Sequence, residues 1–130
     1  MFKVLRVKKM SVLFLVLSCV VIGVFGQLAM KKGMNLVGAV SLKDLFSSKI
    51  FSIIFQRYVF FGLVLYMLAS MLWLVVLSQE ELSFVYPLIA IGYVLTAIFA
   101  WLFFGESLTL FRFFGILLIC GGVYFIILKI

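Results

Sequence analysis

The sequence predicts an all-α polytopic membrane protein with four transmembrane helices and a short interfacial helix between the first and second. Three observations carry this. The 130 residues are 68% hydrophobic and only 12% charged, against roughly 45–50% apolar residues in a soluble domain. The apolar residues fall into four runs of about 20, the length an α-helix needs to cross a hydrocarbon core of about 30 Å. The charged residues collect between or at the ends of those runs. Lipid offers no partners to backbone N–H and C=O groups, so the runs must be helical. A soluble domain is excluded, and residues 1–130 read as one transmembrane domain with spans at about 11–30, 58–77, 83–104 and 108–128.

The first span is bracketed by Lys8 and Lys9 before it and Lys31 and Lys32 after it. A basic stretch followed by an apolar run also begins a signal peptide, but this run is long and lacks a small-residue cleavage site, so it reads as a retained helix. Between Gly33 and Arg57, the residues Leu42, Leu45, Phe46, Lys49, Ile50, Ile53 and Ile54 form a helical-period face opposite Lys43, Asp44, Ser47 and Ser48. That pattern fits an interfacial helix in the headgroup plane, or a tilted extension of the second span. Ser78 to Leu82 is a tight polar turn, so the second and third spans form an antiparallel hairpin. Pro87 lies either in the first turn of the third span, where its missing N–H costs little, or deeper, where it kinks the helix. Gly105, Glu106 and Ser107 turn into the fourth span.

The net charge of +7 does not indicate nucleic acid, because no basic patch is interleaved with aromatic residues. The cations read as interfacial anchors and contacts to anionic lipid. Four spans put Lys3, Arg6, Lys8, Lys9 and Lys129 on one side and Lys31, Lys32, Lys43, Lys49, Arg57 and Arg112 on the other. Five against six decides no orientation and is compatible with dual insertion. Cys19 and Cys120 lie inside apolar runs without metal-ligand spacing. There is no histidine and no phosphate-binding glycine loop, and no carboxylate sits mid-span beside a partner. The sequence therefore predicts no enzyme site, metal or cofactor.

The candidate functional residues begin at the end of the first span, where Cys19, Gly23, Gln27 and Lys31 recur every fourth position and share one helix face. Gln27 needs a partner in lipid, and the small residues admit another helix closely. A packing seam ending in a snorkelling lysine explains the stripe as well as a polar path does. Glu106 sits where the helix dipole favours a negative charge, and Arg112 is placed to snorkel or to pair with it. Trp73, Tyr86, Trp101 and Tyr124 suit an interfacial belt or packing. Gly115, Cys120, Gly121 and Gly122 relieve an otherwise bulky fourth span, as a close helix contact within one chain or between two chains requires.

Together these pieces resemble the drug/metabolite transporter superfamily over about residues 12 to 127, in the manner of its four-helix SMR-like or EamA-like members. Gly105-Glu106-Ser107-Leu108, with Gly115 and Leu117-Leu118-Ile119-Cys120-Gly121-Gly122-Val123, looks like the end of small multidrug resistance proteins. Gly26-Gln27-Leu28 with Lys31, Trp73-Leu74-Val75-Val76-Leu77 and Tyr86-Pro87-Leu88 are closer to the paired subunits that flip aminoarabinose-linked undecaprenyl phosphate. The drug exporters carry a proton-exchanging glutamate in the first helix, where this chain has Gly23. They carry a tryptophan in the third helix where this chain has Ile89. A cation is thus expected to lack both its counter-charge and its stacking platform.

The resemblance implies a flippase-like transporter of a polyprenyl-phosphate-linked sugar or similar anionic lipid in the inner membrane, working as a homo- or heterodimer with a similar four-helix chain. Gln27, Lys31, Tyr86, Glu106 and Arg112 would contact substrate, with Lys32 a further candidate for the phosphate. Cys19, Gly23, Gly115, Gly121 and Gly122 would pack helices. Two other readings stay open: a proton-coupled exporter of small metabolites or cations that relies on Glu106, and a non-transporting subunit that scaffolds a partner enzyme.

Overall fold

The computed structural model describes residues 2–128, with side chains from Met10 onwards. The side chains of Lys3, Arg6, Lys8, Lys9 and Lys129 lie outside the described residues. Helix α1 spans Phe2–Val37, followed by the short α2 (Leu42–Leu45) and α3 (Lys49–Ile54). Helix α4 (Arg57–Gln79) then returns across the bundle. The third crossing is built from α5 (Leu82–Val85), a 3₁₀ turn at Tyr86–Ile89 and α6 (Ala90–Phe104). Helix α7 spans Leu110–Leu128. Among the described residues, four segments are long and apolar enough to cross a membrane: Met10–Val37, Arg57–Gln79, Leu82–Phe104 and Leu110–Leu128. The described residues contain no strand. The protein is all-helical and multi-pass.

The first boundary differs from the sequence reading, in which Lys31 and Lys32 mark the end of the first span. Helix α1 continues past Lys31 and Lys32 to Val37, because the intervening residues keep helical bonding and the chain turns only at Gly38, with φ of 94°. The expected interfacial helix is two short ones. The linker is ordered by local bonds: the Ser41 backbone N–H donates to Asp44 Oδ2 at 3.0 Å, and Lys49 Nζ lies 3.8 Å from the same carboxylate oxygen. Chiefly the Ser41 N–H, with Lys49 nearby, holds the Asp44 carboxyl below its ordinary range. Gln56 caps α4, its Oε1 accepting the Val59 N–H at 2.9 Å.

Pro87 takes the deeper of its two expected places. Lacking an N–H, it is accommodated by a 3₁₀ turn that interrupts the third crossing one turn after its start. Gly105 ends α6 in the left-handed conformation, with φ of 65°, and the following Glu106 N–H reaches back to the Ala100 carbonyl. A side chain with a Cβ is disfavoured in that conformation, which is why the turn is short.

Helices α1 and α4 run antiparallel and form the closest contact in the molecule. At their crossing Gly26 and Gly62 face each other: a Cβ on Gly62 would stand 2.8 Å from the Met30 backbone nitrogen, and one on Gly26 3.0 Å from the Gly62 carbonyl oxygen. Such small-residue crossings let backbones approach where lipid supplies no hydrophobic drive. The buried core lies on the side of the Glu80–Glu81 turn, where Val12, Val16, Cys19, Val20 and Val24 of α1 meet Val76, Val85 and Leu88. Helix α6 runs parallel to α1, with Gly92 against Val20 and Val24 and Phe25 stacked on Phe99 at 6.2 Å. Helix α7 lies antiparallel on the outer flank of α6 and buries little of its surface.

Candidate functional site

Because α1 and α6 are parallel, residues recurring along α1 meet successive turns of α6 at the same membrane depth. The α1 stripe Cys19, Gly23 and Gln27 lines a cavity of about 360 Å³. Its other walls are Tyr66, Ser70 and Trp73 of α4, and Tyr86, Ile89, Tyr93 and Thr96 of the third crossing. Each wall is one face of a helix, at spacings of three or four residues. Trp73 and Tyr86 meet edge to face, ring centroids 6.5 Å apart. No charged side chain lines this cavity. Hydroxyls, one amide and aromatic rings make it polar but neutral.

Gln27, Tyr93 and Thr96 also line a second cavity, of about 440 Å³, which continues toward the linker side between α6 and α7. Its far end holds Glu106, Ser107 and Arg112. Glu106 Oε1 lies 3.9 Å from Lys31 Nζ, both side chains about half exposed. The two cavities thus form one path that starts at an ion pair and ends among neutral rings.

The structure brings four of the five candidate substrate residues to this path directly. Gln27 lies where the two cavities meet, Tyr86 lines the inner cavity, and Glu106 and Arg112 line the outer one. Lys31 reaches it through Glu106. Arg112 does not take the Glu106 partnership: its Nη1 donates to the Ser107 carbonyl at 2.8 Å, and its backbone N–H bonds Thr109 Oγ1 at 3.3 Å. Lys32 is turned to α4, where its Nζ stands 4.5 Å from the centroid of the Tyr58 ring, which also faces Arg57. Of the two companions weighed for Lys31, Arg112 is the one on the path.

Of the two places expected for Trp73, belt or packing, it takes packing, against the core and Tyr86, and it also forms a wall of the inner cavity. Other expectations require correction. The absence of an aromatic platform does not hold: Ile89 replaces one ring, yet Tyr66, Trp73, Tyr86 and Tyr93 surround the cavity beside Gly23. The counter-charge remains absent there. Cys19 is buried in the core, but a Cβ at Gly23, Gly115, Gly121 or Gly122 would meet nothing within 4 Å. Within one chain these four glycines form no close contact, since Gly23 faces the cavity and α7 sits at the flank. The within-chain crossings fall at Gly26, Gly33 and Gly62. Sequence reasoning also missed Tyr66, Ser70, Tyr93 and Thr96. Their signal was available as polar and aromatic residues at helical spacing within apolar spans.

The fold and this path define a multi-pass membrane protein with a polar route along its first and third crossings, the arrangement of a transporter. Residues 43–128, about two thirds of the chain, match the EamA-like transporter family, and the chain belongs to it, within the drug/metabolite transporter superfamily. Helix α1 precedes the matched region. Neither a curated protein nor a solved structure matches the chain.

Proposed function

We propose that the protein translocates an anionic lipid-linked sugar, a polyprenyl-phosphate conjugate or close analogue, across the inner membrane. One observation carries the reading: a neutral cavity walled by Tyr66, Trp73, Tyr86 and Tyr93 with Gln27, Ser70 and Thr96, joined to a charged mouth holding Lys31, Glu106 and Arg112. Stacking rings beside hydroxyl and amide groups suit a sugar, whose faces are apolar and whose edges need hydrogen bonds. The cations at the mouth suit a phosphate. Tyr86 and Tyr93 are more than half exposed, so the cavity opens sideways and a lipid tail can stay in the bilayer while the headgroup moves. The rings offer a small cation a cation–π face, but the cavity gives it no counter-charge. In this scheme Lys31 and Arg112 hold the phosphate, Gln27 and Tyr86 contact the sugar, and Glu106 exchanges places with the phosphate on Lys31.

The test is reconstitution into vesicles containing a polyprenyl-phosphate sugar with a fluorescent headgroup, followed by chemical quenching of the outer leaflet. The protein should accelerate headgroup crossing over empty vesicles, and Trp73→Ala should remove the acceleration. No acceleration, together with pH-gradient-driven uptake of quaternary ammonium cations lost in Glu106→Gln, would establish the exporter instead. Stable copurification with an active enzyme, without any transport, would establish the scaffold.

A further inference from the structure

Between α6 and α7, on the side of the Glu80–Glu81 turn, lies a third cavity of about 300 Å³ with wholly apolar walls. Ile91, Val94 and Leu95 of α6 form one side, and Ile119, Val123 and Ile127 of α7 the other. Ile119 also lines the outer polar cavity, so the two border the same helix pair and meet at that residue. The combined groove runs from Arg112 to Ile127, fifteen residues of α7 and thus about 22 Å, most of the way across a hydrocarbon core of about 30 Å. Its polarity is graded. Arg112, Glu106 and Ser107 stand at the linker side, Gln27, Tyr93 and Thr96 line the middle, and apolar side chains dominate the end toward Ile127.

We infer that this groove is a tail-binding site, holding one isoprenoid chain of a polyprenyl phosphate whose phosphate sits at Arg112. The inference rests on the lipid-linked substrate proposed above and adds where its tail lies. Charge complementarity sets the direction: an anionic headgroup meets a guanidinium that commits one donor to Ser107 and has others to offer. A second copy of the chain does not need the groove. Leu118 and Phe125, both exposed, and the half-buried Gly121 share a separate face on the opposite side of α7, because residues two apart on a helix are rotated by about 200°. With the tail against α6 and α7, the headgroup enters the outer cavity and reaches the neutral inner one past Gln27, Tyr93 and Thr96 without the tail leaving its groove.

The experiment uses the full chain in vesicles with a polyprenyl phosphate carrying a diazirine in its isoprenoid chain, and maps the photolabelled residues by mass spectrometry. Labels are expected on Ile91, Leu95, Cys120 and Val123. Cys120→Trp, at an exposed position that lines the groove, should lower labelling strongly, whereas Leu118→Trp on the opposite face should leave it unchanged. Arg112→Gln should lower it about tenfold, as loss of a hydrogen bond to a charged group predicts. Labels confined to other helices, or undiminished labelling in Cys120→Trp, would overturn the inference. So would equal competition by phosphatidylglycerol, which would make the occupant an ordinary diacyl lipid. Ready disulfide formation between Cys120 residues of two copies, with no lipid label, would make the groove a self-interface instead. The two readings fail separately: headgroup crossing that persists without groove labelling sinks the tail site alone, and groove labelling without headgroup crossing sinks the translocation reading alone.

Discussion

Lys31 and Lys32 are adjacent in sequence and rotated by about 100° on α1, and that rotation separates their roles. Lys31 faces the α6–α7 turn and approaches Glu106 at 3.9 Å, whereas Lys32 lies on the Tyr58 ring of α4. In water a half-exposed pair such as Lys31–Glu106 contributes about 0–1 kcal/mol, so it adds little to the fold and Lys31 readily exchanges Glu106 for another anion. If Lys31 holds the substrate phosphate, Lys31→Ala should lose about 1.5–3 kcal/mol of substrate interaction, roughly a ten- to hundredfold fall in headgroup crossing. Lys32→Ala should lose only the cation–π contact, about 0.5–1 kcal/mol, and much of that through stability rather than transport. Lys31→Arg should keep part of the activity, because the charge remains while its geometry changes. The three variants are compared for headgroup crossing at matched membrane abundance. Equal tolerance of the two alanine substitutions would remove the phosphate role from Lys31.

At the scale of the helices, glycine serves two separate purposes. In α1 and α4 it permits backbone contact: a Cβ on Gly62 meets backbone atoms of Gly26 and Met30, which cannot turn aside. Gly62→Ala should therefore destabilise the α1–α4 pair by about 1–3 kcal/mol of overpacking, offset in part by the roughly 1 kcal/mol that alanine gains over glycine in a helix. Gly121 of α7 meets nothing within the chain, so Gly121→Ala should be neutral or stabilising for the isolated chain. Thermal unfolding in detergent, with each variant as a monomer, measures both. A Gly62→Ala protein as stable as the parent would show that the crossing relaxes. The break at Pro87 has a further consequence at this scale. Tyr86 stands at the start of that 3₁₀ turn and meets Trp73 edge to face, which closes one wall of the inner cavity.

For the whole molecule, burial is concentrated around α1, and α7 is exposed along nearly its full length. A single copy leaves Leu118, Phe125 and the open glycine Gly121 together on one face of α7. We expect two copies, or this chain and a similar one, to meet along that face, because four helices alone shelter only one side of the polar path. Leu118→Cys in a background with Cys19→Ala and Cys120→Ala should crosslink between copies in native membranes, and Gly121→Ala should weaken that crosslinking even though it leaves the single chain intact. A chain that remains monomeric at native abundance with full transport would remove the dimer.

The sequence alone determined what the solvent dictates. Apolar run length, charge placement and the turns at Ser78–Leu82 and Gly105–Ser107 define four membrane helices, because backbone polar groups in lipid have no other way to be satisfied. It also showed one wall of the site, the Cys19, Gly23 and Gln27 stripe leading to Lys31, because helical periodicity places those residues on one face before any partner is known. Only the tertiary structure decided what that face meets. In a span apolar on every side, periodicity does not say which face looks inward, so Tyr66, Ser70, Tyr93 and Thr96 passed for ordinary span residues. The same ambiguity left open whether the α7 glycines pack within one chain or between two; within the chain the close crossing is at Gly26 and Gly62. Residues far apart in sequence became one path because α1 and α6 run parallel in contact, which sets Gln27 beside Tyr93 and Thr96 and Lys31 beside Glu106.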